Sequence, residues 1–107
     1  MRLADTRALV PEFLRENFDR NVPALIERVA VLDELTHSLF DGQVDILSKA
    51  VQSAHDLCGS FGVFGLRELS GFAQEVEGIL RADDYGNASR QEIIRNNISN
   101  LRQCLHA

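Results

Sequence analysis

A chain of 107 residues can bury roughly 60 to 70 % of the surface its unfolded form exposes, which suffices for one hydrophobic core. The hydrophobic share of 45 %, with six Phe and no Trp, is a globular composition, and no apolar run approaches the roughly 18 residues of a membrane span. Eleven basic residues stand against sixteen acidic ones, and the ten arginines among them are scattered, so no basic stripe points to a nucleic-acid or anionic-membrane partner.

The N terminus, Met1 to Arg7, is not followed by a continuous apolar region of the kind a secretory signal carries, so a cytoplasmic location is expected. Leu9-Val10-Pro11 predicts the start of a helical stretch with proline in its first turn and Phe13, Leu14 and Phe18 on its apolar side. Asn21-Val22-Pro23 is a second punctuation point. Asn21 can cap a new helix with Pro23 in its first turn, or Pro23 can merely kink a long one. From Ala24, the residues Leu25, Ile26, Val29, Leu32, Leu35, Leu39 and Phe40 keep helical spacing until Asp41-Gly42 breaks it.

The next helix is predicted from Val44 to about Ser60, with Val44, Leu47, Val51, Ala54, Cys58 and Phe61 as its stripe and Ala50 and Leu57 widening it. Phe61 to Gly65 is a short apolar link that either continues this helix or turns, and it lacks the Gly-Lys-Ser/Thr of a nucleotide-binding loop. Leu66 opens a further helix with Leu69, Phe72, Ala73, Val76, Ile79 and Leu80 inward. Residues 82–87 form a turn, and Ser89 with Glu92 three residues on makes a capping box for a last helix striped by Ile93, Ile94, Asn97, Ile98, Leu101, Cys104 and Leu105.

Four long amphipathic segments joined by short breaks bury their stripes together by forming a bundle. The predicted fold is therefore all-α, an up-down-up-down four-helix bundle with an additional or extended N-terminal helix, and residues 1–107 form a single domain. Each inward Leu, Ile or Phe contributes about 1.5 to 3 kcal/mol to that assembly. The two cysteines, Cys58 and Cys104, have neither metal-ligand spacing nor the density of a disulfide scaffold and are expected to pack as small hydrophobes.

His55 lies off the apolar stripe of its helix, beside Ser48, Gln52 and Gly59. A glycine inside a good helix costs about 1 kcal/mol relative to alanine, so Gly59 requires a reason. Either it leaves room beside His55 for a bulky group on the imidazole or for a partner's loop, or it simply begins a helix end.

The segment from His55 to Glu77 resembles the histidine-containing phosphotransfer, or Hpt, domain of two-component phosphorelays. The family motif runs His-x-Leu-Lys-Gly-Ser, then a Phe/Leu-Gly pair, then a leucine-bearing helix ending near Leu-Glu. Here His55, Leu57, Gly59 and Ser60 fall on it, Phe64-Gly65 is the second landmark, and Leu69 and Glu77 fit the following helix; Phe18, Pro23 and Leu25 fit the family's first long helix. The resemblance implies that His55 accepts a phosphoryl group from one receiver-domain aspartate and donates it to another, as a phosphotransfer intermediate rather than an autonomous kinase. It implies a response-regulator receiver domain as partner, a hybrid histidine kinase as a further one, and magnesium on the receiver, with no cofactor or metal on this chain. A monomer with an open docking face is expected.

One position departs from the pattern: the motif's lysine is Cys58. Cysteine supplies no counter-charge, and a charge-assisted hydrogen bond to phosphate is worth roughly 1.5 to 3 kcal/mol. Gln52 and Ser60 are placed by helical spacing to donate hydrogen bonds to a phosphoryl group, Arg67 is a candidate for the missing charge, and Asp56 and Gly59 complete the expected docking patch around His55. The alternative reading is a degenerate helical adaptor that binds a receiver or kinase without exchanging phosphate. A cysteine enzyme built on Cys58 and His55 is disfavoured, since no third orienting group is identifiable. His37 and His106 read as surface histidines. The pairs Asp33-Glu34, Glu75/Glu77 and Asp83-Asp84 read as solvated carboxylates.

Overall fold

Apolar residues at three and four residue spacing build five α-helices in a computed structural model that describes residues 1–107. They are α1 (Leu3–Leu9), α2 (Arg15–Phe40), α3 (Leu47–Val63), α4 (Arg67–Arg81) and α5 (Ala88–Cys104), with single 3-10 turns leading into α2 and α3. Helices α2 to α5 form the four-helix core. Each packs against its chain neighbours, and α2 closes the ring against α5. The long dimension of the molecule, 42 Å, is set by the 26 residues of α2, which at 1.5 Å per residue span about 39 Å.

Pro23 does not divide this helix. It lacks the N–H that would bond the carbonyl of Asp19, yet Phe18, Leu25, Val29, Leu32 and Leu39 on both sides are buried in the same core, and that burial outweighs a local cost of about 3 kcal/mol. The stretch predicted from Leu9 is thus split. Pro11 stops α1, and residues 15–20 extend α2 rather than form a helix of their own. Phe13 sits in the connecting 3-10 turn and is 84 % exposed instead of inward.

The extra helix α1 lies against α5. Thr6, fully buried, donates its hydroxyl to the carbonyl of Cys104 at 2.7 Å, and Leu3 N–H donates to the His106 carbonyl. Arg7 pairs with Asp19 of α2 at 2.8 Å, and each raises the other's tendency to stay charged, with the hydrogen bond as the main cause on both sides. Burial pushes the Cys104 thiol up, in keeping with a cysteine that packs as a small hydrophobe.

Two glycines end helices with positive φ, Gly42 at 103° after α2 and Gly65 at 72° after α3, where residues with a side chain would be strained. Near Gly65 the Phe18 and Phe64 rings meet edge to face at 5.4 Å and seal that end of the core. The α5 start is capped two residues earlier than the Ser89–Glu92 spacing predicts: Asn87 Oδ1 accepts from the Ser89 N–H at 2.8 Å. No helix is long and apolar enough to cross a membrane.

Candidate functional site

The buried face of α3 is Ala50, Ala54, Leu57 and Phe61, all within the predicted stripe, and its centre lies toward Ala50 and Leu57 rather than Val51 and Cys58. Val44, 64 % exposed, falls outside α3, and Leu47, Val51 and Cys58 are half-buried at the stripe's edge. Helix α3 makes its most extensive packing with α4, and their buried faces include the small residues Ala50 and Ala54 on α3 and Ala73 on α4. Small interfacial residues let helix axes approach closely. Polar side chains flanking that seam therefore meet.

His55 follows Ala54 and projects outward, with its side chain 59 % exposed. Glu77 follows Val76 on α4 and brings both carboxylate oxygens to the His55 Nδ1, at 3.1 and 3.2 Å. Glu77 itself is only 12 % exposed and accepts a second hydrogen bond from Arg81 Nε at 2.6 Å, one turn along α4. Burial pushes this carboxyl up, but the hydrogen bonds from Arg81 and His55 outweigh it, and the group is held below its ordinary value. Glu77 is consequently ionised at neutral pH. An ionised carboxylate only accepts hydrogen bonds, so Nδ1 is the nitrogen that donates to it, and in the neutral ring this tautomer leaves the lone pair on Nε2.

On its other flank His55 borders an open groove of about 900 Å³ between α2 and α3. Gln52, Asp56, Gly59 and Ser60 line it together with His55, so five of the seven site residues expected from the sequence share one surface. Gln52 Nε2 donates to Asp56 Oδ1 at 2.8 Å. Ser60 Oγ accepts from Arg28 Nη1 of α2 at 3.0 Å, which leaves the serine O–H free to donate. A Cβ built at Gly59 meets nothing within 4 Å, and α3 runs on to Val63, so neither close packing nor a helix end accounts for glycine there.

Two expected residues stand apart. The Cys58 Sγ lies 3.2 Å from Ser70 Oγ of α4, half-buried and turned away from the groove, and Ser70 also donates to the Cys58 carbonyl at 2.9 Å. Arg67 is exposed as the first residue of α4 and does not line the groove.

Sequence reasoning missed the roles of Glu77, Arg81 and Arg28. Glu77 is an oriented partner of His55 rather than a solvated carboxylate. Glu75 differs as well, accepting from the buried Asn97, and the Asp33 carboxylate accepts from Arg102 of α5 at 2.8 Å while the His37 ring contacts the Asp33 backbone carbonyl. The one local signal for Glu77 is its four-residue spacing to Arg81; its 22-residue separation from His55 carries none.

A family model described as Hpt domain matches residues 9–107. No curated protein matches the chain, and no solved structure does.

Proposed function

This chain belongs to the Hpt domain family, whose members serve phosphorelays through receiver and kinase domains, and we propose that it relays a phosphoryl group between receiver-domain aspartates through His55. The observation that carries this reading is the His55–Glu77 contact on an otherwise exposed ring. With its proton held on Nδ1, the ring attacks the phosphorus of a receiver's aspartyl phosphate through Nε2. The N–P bond forms as the P–O bond to the aspartate breaks, and the receiver regains its carboxylate. No proton has to leave the ring. The phosphoimidazole that results is cationic, and its Nδ1–H faces the Glu77 carboxylate, an interaction stronger in the charged product than in the neutral ring. Transfer to a second receiver runs the same step backwards, and the chain needs no ATP site of its own.

The docking face is the α2/α3 groove, with Gln52, Asp56, Gly59 and Ser60 from α3 and Arg28, Val31 and Leu35 from α2. Open space at Gly59 supports close approach of a partner to the imidazole. Incubation with a phosphorylated receiver labels the wild type and leaves His55→Gln unlabelled. Equal labelling of both sinks the assignment.

Cys58 favours a second reading, a helical adaptor that binds a receiver or kinase without exchanging phosphate, because the residue one turn past His55 offers no positive charge and its thiol is engaged with Ser70. Cys58→Lys separates the two. A longer phosphohistidine lifetime in the variant, at unchanged receiver affinity, marks a transfer site of reduced strength. Tight binding with no labelling of either protein marks the adaptor.

A further inference from the structure

A phosphoryl group on Nε2 brings close to two negative charges at neutral pH to a ring whose other nitrogen already faces a carboxylate. Like charges brought this near repel, and the repulsion is least screened where one partner is desolvated, as Glu77 is. The cationic ring attracts Glu77 while the phosphoryl oxygens repel it, so a cation that holds the carboxylate toward Nδ1 and offsets part of its charge favours the phosphorylated state.

Position 58, one turn past His55 on α3, supplies nothing: its thiol is turned to Ser70. Arg28 is bound across the groove to Ser60, and Lys49, the only lysine in the chain, lies along the same groove without a contact to the His55–Glu77 pair. Arg67 has no contact with the pair either. One cation does meet it. Arg81 Nε lies 2.6 Å from Glu77 Oε2, the same oxygen that stands 3.1 Å from His55 Nδ1.

Resting on the phosphotransfer reading above, we infer that Arg81 is a positioning residue for His55 phosphorylation, acting through Glu77: it holds the carboxylate in the rotamer that faces Nδ1 and offsets its charge when the phosphoryl group arrives. The geometry follows from sequence. Residues 77 and 81 lie one turn apart on α4, so the guanidinium folds back along its own helix onto the carboxylate, and the carboxylate reaches across the seam to α3. Arg81 also lines a second shallow groove with Ser48, Val51 and Gln52 of α3, so its guanidinium, 57 % exposed, borders the surface around His55 from the side opposite Arg28. The chain thus carries on α4 the positive charge that position 58 lacks.

The test is a double-mutant cycle on rate of labelling from a receiver domain phosphorylated with acetyl phosphate, with phosphohistidine lifetime read in parallel. Arg81→Gln is expected to slow labelling and shorten the lifetime by roughly tenfold, the order of effect of one charge-assisted hydrogen bond, while Arg81→Lys keeps most of the wild-type rate. In a Glu77→Gln background, Arg81→Gln should change little further, because the carboxylate it acts through is gone. Tm is read for every variant, and a purely structural role is expected to move Tm without this dependence on Glu77.

Arg81→Gln behaving as wild type, while His55→Gln stays unlabelled, overturns the role of Arg81 and leaves the histidine assignment standing. Equal effects of Arg81→Gln in the presence and absence of Glu77, or no rescue by lysine, also overturn it. Absence of labelling in the wild type overturns both readings together.

Discussion

Ser70 Oγ donates to the carbonyl oxygen of Cys58 at 2.9 Å, tying α4 to α3 one turn from His55 and in the antiparallel register that carries Glu77 to the imidazole. Close packing of the apolar faces sets how the two helices lie against each other, and this directional bond between named atoms adds a local constraint on the same register.

Ser70→Ala removes that bond, and a net loss of about 1 kcal/mol, roughly 4 °C or more in Tm for a chain of this size, is expected from thermal unfolding. Labelling of His55 should slow as well, since Glu77 then faces Nδ1 for a smaller fraction of the time. An unchanged labelling rate in a destabilised Ser70→Ala protein would show that other contacts hold the register.

Glu77 links stability to pH with a definite sign. Its carboxyl is held below the ordinary value near 4.5, so between the two values the folded state binds fewer protons than the unfolded one. The stabilisation is fully present above about pH 4.5 and is lost as pH falls through the folded value. The Tm difference between wild type and Glu77→Gln should therefore be present above about pH 4.5 and narrow as the pH falls below it. A difference as large at pH 3 as at pH 7 would contradict the assignment.

At Gly59 the two effects of a side chain separate. Gly59→Ala should stabilise α3 by up to about 1 kcal/mol, as nothing lies where its Cβ would be placed and alanine is the better helix former. Gly59→Leu should leave Tm at or above the wild-type value while slowing transfer from a phosphorylated receiver, because its side chain would fill the approach to His55. Transfer at the wild-type rate by Gly59→Leu refutes the idea that the glycine serves the partner.

Thr6→Val keeps the shape of a fully buried side chain but deprives the Cys104 carbonyl of its hydroxyl donor. A loss of about 1 to 3 kcal/mol in unfolding free energy is expected, measured by urea denaturation. Labelling should be unaffected, since α1 lines neither groove beside His55. Reduced labelling at temperatures where the variant is fully folded would mean that α1 takes part in docking.

The helical content, the four amphipathic segments, the break at Asp41-Gly42 and the outward placement of His55 were legible in the chain, because each depends on residues within one or two helical turns. Local competition was harder to read. Asn87 rather than Ser89 caps α5, although both residues are good caps, and Phe13 and Val44 match helical spacing yet lie in 3-10 turns that face solvent. The continuity of α2 through Pro23 was not decidable locally, since the residues whose burial offsets the proline are buried by other helices.

The site divides the same way. Gln52, Asp56, Gly59 and Ser60 gather beside His55 because one helix places them there, and their spacing shows it. Glu77, Arg81 and Arg28 join the site from α4 and α2, and the turn of Cys58 toward Ser70 depends on α4 as well. Helical periodicity says which face a residue occupies, but how one helix is rotated and slid against the next follows from the summed packing of all four. That packing decided which carboxylate meets the histidine and which arginine stands behind it.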